Sequence, residues 1–196
     1  LADVDTIRRL GEAFGLHPLV MEDILHMGQR PKLEVYDDYI YLVGKMIYRG
    51  SNGEEVSYEQ LSVVLGKNYV LTFQEREGDV FQPIRERIRN NKGRLRRSGA
   101  DYLVYSMLDS VVDNYFPALE RVGDLIEVIE EELSDDPDQD VLSDIYRLKR
   151  EVLFLRKSIW PIREVVAAMM RQDIEMVSPS TNTYLRDVYD HSIQVM

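Results

Sequence analysis

Asp187 and His191 stand four residues apart in a stretch with helical spacing, so their side chains share one face. That spacing suits an ordinary helix pair or two ligands of a metal site. Far upstream, Asp109 lies among Met107, Leu108, Val111 and Val112. A carboxylate in such apolar company needs a cation or a hydrogen-bond partner; the plainer alternative is a surface acid or one satisfied by an arginine. Glu22 and Asp23 adjoin on the polar side of a short amphipathic helix, where two solvated acids are the ordinary expectation. Magnesium dehydrates reluctantly and is commonly held by one or two carboxylates with its waters retained. A few acids brought together from separate helices would therefore suffice, but spacing alone does not bring these together.

Other chemistry is scarce. His17, His26 and His191 share no ligand spacing, and neither a His-Glu-x-x-His nor a Gly-x-Ser-x-Gly motif occurs. Gly66-Lys67 lacks the other residues of a phosphate loop. Zero cysteines exclude disulfides, thiolate zinc sites and cysteine nucleophiles. A hydrolase is disfavoured, and the chain is read as having no enzymatic activity. The net charge of -11 and a pI near 4.8 argue against nucleic acid and for cations as partners. The basic run from Arg85 to Arg97 reads as a solvated face or a partner for the acidic segment described below, with phosphate binding the weaker alternative. No apolar run approaches the roughly eighteen residues of a membrane helix, so the piece is expected to be soluble as it stands.

The elements that position these residues are legible in the pattern. At 196 residues and 44% hydrophobic, the chain has the means to bury a substantial core. Residues 5–14 and the segment from Pro18 form two short helices separated by Gly15, a left-handed C-cap. Leu19, Val20, Ile24 and Leu25 are assigned to the buried face of the second helix. Strands are predicted over 33–35, 39–48, 56–65 and 68–74, with a turn at Ser51-Asn52-Gly53. A helix containing Phe81, Ile84 and Ile88 follows. From Asp101, a candidate cap, to about Arg171, two long helices fold back at an acidic tip in which Asp136 and Pro137 suit the start of the second. Their apolar stripes include Val104, Leu108, Val111, Val122 and Ile129, then Val141, Ile145, Leu148, Val152, Leu155, Ile159, Ile162, Val166 and Met169. Pro117 and Pro161 are expected to kink them, and Trp160 is read as a packing anchor. A third helix begins after Ser178-Pro179-Ser180. The first and last residues, Leu1 and Met196, suggest a fragment of a longer protein.

Leu16-His17-Pro18-Leu19-Val20-Met21-Glu22-Asp23-Ile24-Leu25, followed by Gln29-Arg30-Pro31-Lys32, closely resembles the cytosolic domain of the CorA magnesium transporters. Arg85 to Arg89, Ala100 to Ser106, Ile159-Trp160-Pro161-Ile162-Arg163-Glu164 and Arg186 to His191 extend the likeness along the chain. The resemblance implies an α+β architecture. An α/β/α sandwich around a mainly antiparallel or mixed sheet would occupy 1–97, a long "willow" helical hairpin 98–175, and the start of a stalk helix 176–196. It also implies a homopentamer at the cytoplasmic face of the prokaryotic inner membrane, joined to the membrane only through spans outside this chain. Mg2+ or Co2+ would bind between subunits and hold the closed state. By motif position Asp23 would meet Asp187 of a neighbour, while Glu22 and Asp109, with His191, would form a second site nearby. A helical oligomerisation scaffold without a specific metal site, and the equivalent domain of a ZntB-type zinc transporter, remain the alternatives.

Overall fold

The computed structural model describes residues 4–49, 56–76, 78–135, 139–171 and 174–195. Helix α1 (Val4–Phe14) ends at Gly15, whose φ of +64° is the left-handed cap the sequence requires. Helix α2 (Pro18–Leu25) carries its proline at the start, and the His17 ring caps it by accepting the Leu19 N–H at Nδ1, 3.2 Å away. Four antiparallel strands follow as a meander in spatial order: β1 (Lys32–Val35), β2 (Tyr39–Arg49), β3 (Val56–Gly66) and β4 (Val70–Phe73). The predicted turn at 51–53 and the tip residues Asp136 and Pro137 lie outside the described residues.

Alternation along β2 and β3 makes a two-sided core, because successive side chains of a strand point to opposite faces. Tyr39, Tyr41, Val43 and Val64 are buried against Ile7, Val20 and Ile24 of α1 and α2. The other face presents Ile40, Leu42, Met46, Leu61, Val63 and Leu65 to the helices that follow in sequence. These are α3 (Gln82–Arg89), α4 (Ala100–Asp113), α5 (Tyr115–Asp135), α6 (Gln139–Met169) and α7 (Pro179–Gln194). The predicted α/β/α layering is thus present, with a wholly antiparallel sheet among the described residues. Helix α6 comes close at Gly44, where an added Cβ would lie 3.3 Å from Ile162 Cδ1.

Three local expectations change. Leu19, assigned to the buried face of α2, is 59% exposed, and Val20 and Ile24 alone are fully covered. The first long arm is divided at Asn114 rather than merely kinked, and Pro117 falls in the first turn of α5, where its missing N–H leaves no hydrogen bond broken. Asp101 lies inside the first turn of α4, not at its N-cap, which is Gly99. The break has identifiable anchors: Asn114 Nδ2 donates to the Ile47 carbonyl at 2.6 Å, and the Tyr115 hydroxyl donates to that of Lys45 at 2.6 Å. Tyr115 is fully buried. Tyr115→Phe is therefore expected to lower unfolding stability by about 1–2 kcal/mol, read from urea melts, because it orphans a carbonyl on β2. An unchanged midpoint would mean that the hydroxyl does not fix the junction.

Helix α6, 31 residues long, runs about 46 Å at 1.5 Å per residue. Its seam is buried at Val141, Leu155, Ile159, Ile162, Val166 and Met169. Val152 on the same stripe is 41% exposed, as are Ile126 and Leu133 of α5 to similar degree, so the hairpin of α5 and α6 covers fewer of its apolar side chains than the sheet does. No helix of the described residues is long and apolar enough to cross a membrane.

Candidate metal centre

Helices α4 and α7 pack side by side on the sheet face that also holds α6. Their alignment is set at the N-terminal ends. Ser178 caps α7, and its backbone N–H donates to Asp101 Oδ2 of α4 at 2.9 Å. Burial opposes the charge on Asp101, but the bonds from Ser178 and Thr181 outweigh it and hold the carboxyl below its ordinary range. Above this clamp Tyr102, Tyr105 and Tyr184 form an aromatic trio with ring centroids 5.1–5.2 Å apart, and Arg94 donates to the Tyr184 hydroxyl.

Two turns on, each helix contributes a doublet at i, i+4. Asp109 and Asp113 lie on α4, Asp187 and His191 on α7, and one ligand atom from each of Asp109, Asp113 and His191 falls within 4.8 Å of the other two. His191 Nε2 lies 3.9 Å from Asp187 Oδ1. Its Nδ1 is buried and has no hydrogen-bond partner among the described residues, an arrangement that costs free energy unless something else occupies that lone pair or proton. Asp109 is half-buried, and burial, followed by the neighbouring Asp113, pushes its carboxyl up to about 6. Asp187 adds to the rise, while His191 and Arg87 oppose it.

The donor set fits a divalent cation. Two carboxylates suit hard, oxygen-seeking Mg2+, and the imidazole suits Co2+ and its transition-metal neighbours. An ion there would neutralise the carboxylate that burial disfavours and take an imidazole nitrogen of His191 as a ligand. Asp113 is absent from the sequence-based site, although its distance from Asp109 repeats the Asp187–His191 spacing and it follows the same Val111 and Val112; in the structure it is exposed.

The remaining two candidates lie elsewhere. Helix α2 rests on the opposite face of the sheet, so Glu22 and Asp23 are separated from Asp109, Asp187 and His191 of the same chain by a full layer. Glu22 is exposed. Asp23 is already engaged: Oδ2 receives Lys32 Nζ at 2.6 Å and Oδ1 receives Gln29 Nε2 at 2.8 Å. Lys32 also donates to Glu34 Oε1 at 2.6 Å. Burial works against the ammonium charge, yet the hydrogen bonds to Asp23 and Glu34 outweigh it and hold the group above its ordinary value. Nothing in the pattern of the sequence announced Lys32 as the partner of Asp23.

The basic run disperses. Arg85 forks onto Asp79 as an ion pair, Arg94 reaches Tyr184, and Arg89, Lys92, Arg96 and Arg97 are exposed. Trp160, expected as a packing anchor, is 46% exposed, with the Arg163 guanidinium 4.6 Å from its ring centroid.

The chain spans about half the length of the curated relatives it matches. It is 48% identical over 191 residues to the cobalt/magnesium transport protein CorA of Thermotoga maritima, covering 97% of this chain and 54% of that one. It is 29% identical over 186 residues to the putative metal ion transporter YfjQ of Bacillus subtilis, covering 95% and 57%. The soluble domain of CorA from Methanocaldococcus jannaschii superposes with a TM-score of 0.82 at 19% identity over 97% of this chain and 76% of that one. The ZntB cytoplasmic domain from Vibrio parahaemolyticus gives 0.78 at 14% identity over 96% and 74%, a likeness of fold alone. The relatives' names are those of transporters, not enzymes. A family model described as CorA-like Mg2+ transporter protein matches residues 2–196, and with the Thermotoga likeness over the same length it shows that the chain belongs to the CorA family.

Proposed function

We propose that this chain is the divalent-cation-sensing, regulatory domain of a CorA-type Mg2+/Co2+ channel, with Mg2+ bound between neighbouring copies favouring the closed state. The observation that carries this reading is the pair of i, i+4 doublets on α4 and α7, of which Asp109, Asp113 and His191 bring ligand atoms within 4.8 Å of one another. Magnesium and cobalt are the cations in the name of the Thermotoga relative. In this reading the layer between α2 and α7 has a purpose: Asp23 meets Asp187 of an adjacent copy, while Glu22 approaches the Asp109 and His191 side of that neighbour. Opposed carboxylates repel each other when bare and are clamped by a cation, so occupancy biases a two-state interface. Only the difference in affinity between the closed and open arrangements does the gating.

The full assembly is a homopentamer at the cytoplasmic face of a prokaryotic inner membrane, and the ion path lies in segments outside this chain. Within it, 1–97 is the α/β portion, 98–175 the willow hairpin and 176–196 the head of the stalk. The domain has no enzymatic activity and no nucleic-acid partner. Titration calorimetry with MgCl2 and CoCl2, paired with sedimentation velocity, tests the reading. Saturable binding that drives association, and is lost in Asp23→Ala/Asp187→Ala, is the expected result. Binding unchanged in the double variant would overturn the intersubunit site and move the ions to the acidic end of α5. Association without any binding would leave an oligomerisation scaffold.

A further inference from the structure

A cavity of about 530 Å3 opens where α6 crosses β2 and β3 beside the loop that leads into β1. Its charged lining is wholly cationic: Arg30 from that loop, Lys45 from β2, and Arg156 and Lys157 from α6. In a chain of net charge -11 a lining whose charged members are all cationic stands out. Lys45 is the most informative member. It is only 7% exposed, its Nζ lies 4.4 Å from the Tyr58 ring centroid, and it makes no ion pair among the described residues. Burial pulls its pKa down, and the charge of Glu75 opposes without forming an ion pair with it among the described residues. A buried ammonium without a counter-ion is a group whose charge an anion would stabilise.

The uncharged lining includes three aromatic side chains. Tyr58 and Phe154 lie with ring centroids 4.7 Å apart, and Trp160 flanks the same opening. A free phosphate would satisfy the cations and leave the rings unused, whereas a planar base joined to phosphates uses both. The volume lies within the roughly 300–1,000 Å3 of small-molecule sites. The strongly negative chain as a whole disfavours a polynucleotide, which needs an extended basic surface.

We propose that this cavity binds a nucleoside polyphosphate, its phosphates held by Lys45, Arg156 and Lys157 and its base against Tyr58, Phe154 and Trp160. None of these residues belongs to the cation doublets, so the two sites stand or fall separately. The test is calorimetric titration of ATP, adenosine and inorganic triphosphate into the chain with EDTA present, so that no divalent ion bridges nucleotide to acids. Saturable ATP binding is expected, with adenosine and triphosphate each weaker by roughly tenfold or more. Lys45→Met and the exposed pair Arg156→Glu/Lys157→Glu should each weaken ATP by a similar factor, and the exposed pair keeps the test valid if the buried substitution impairs folding. Absence of saturable binding at millimolar ATP, triphosphate binding as tightly as ATP, or wild-type affinity in Arg156→Glu/Lys157→Glu would each overturn the proposal.

Discussion

Asp109→Asn is expected to stabilise the metal-free chain at neutral pH and to abolish most of its stabilisation by magnesium. The carboxyl is pushed up to about 6 by burial first and by Asp113 next. Its folded pKa therefore lies above the roughly 3.9 of an unfolded aspartate. Below that lower value the group is protonated in both states and does not disfavour folding. As pH rises towards about 6 the unfolded chain releases its proton first, so stability falls across that window and the loss is complete above it. At ~1.4 kcal/mol per pKa unit the full shift would be worth roughly 3 kcal/mol, and partial exposure screens it to about 1–2 kcal/mol. Asparagine removes the ionisation and with it this penalty. Wild type and variant, compared in urea melts without metal, should differ most at pH 7, by about half as much at pH 5, and little below pH 4, with the variant the more stable wherever they differ. Added MgCl2 should reverse that order, since a ligand bound only by the folded state adds RT ln(1 + [L]/Kd) and the variant has lost an ionised donor. A variant that gains as much from magnesium as wild type does would remove Asp109 from the site.

The parts of this architecture that local chemistry dictates were legible in the sequence. Alternating β-branched and aromatic residues place β2 and β3 within a residue of their observed ends, and Gly15 marks its own left-handed turn. What escaped depends on partners distant in the chain. The apolar stripe runs unbroken through Tyr115 and Phe116, so periodicity carries no sign that α4 stops at Asn114. The stop is fixed by carbonyls of Lys45 and Ile47, some seventy residues away. Leu19 continues the apolar face of α2 in sequence, yet the short helix meets the sheet through Val20 and Ile24 and leaves it outside. The site divides in the same way. Spacing exposed the Asp187–His191 doublet and apolar neighbours exposed Asp109, whereas Asp113, beside the same Val111 and Val112 but at the exposed end of α4, joins the group only when α4 and α7 are docked. The opposition of Glu22 and Asp23 to the other three candidates is a property of the layers and has no signature in any one segment.

Lys32→Met is expected to weaken folding and strengthen magnesium binding together, a combination that few substitutions produce. The ammonium of Lys32 sits 2.6 Å from both Asp23 and Glu34, with the Lys32 and Asp23 side chains only 30% and 20% exposed. It is a tethered monovalent cation standing where, in the proposed sensor, a divalent ion has to approach Asp23. Any such ion must displace the ammonium or share its carboxylate, so part of the binding free energy is spent on breaking the existing pair. Methionine keeps the length of the side chain and removes the charge. The two acids then lose their shared counter-ion, at a cost of about 1–3 kcal/mol, below the value for a fully buried pair because water reaches this one. The same loss leaves Asp23 bare, and its affinity for magnesium should rise by roughly tenfold, equivalent to ~1.4 kcal/mol. Urea melts report the first effect and calorimetry the second. Lys32→Met/Asp23→Asn separates the causes: the gain in affinity must vanish there, while the repulsion between acids is relieved and part of the lost stability returns. If Lys32→Met binds magnesium no more tightly than wild type, Asp23 is not a ligand. Its pairing with Lys32 then serves to fasten α2 to the edge strand β1, and the cation chemistry of the chain contracts to the doublets of α4 and α7.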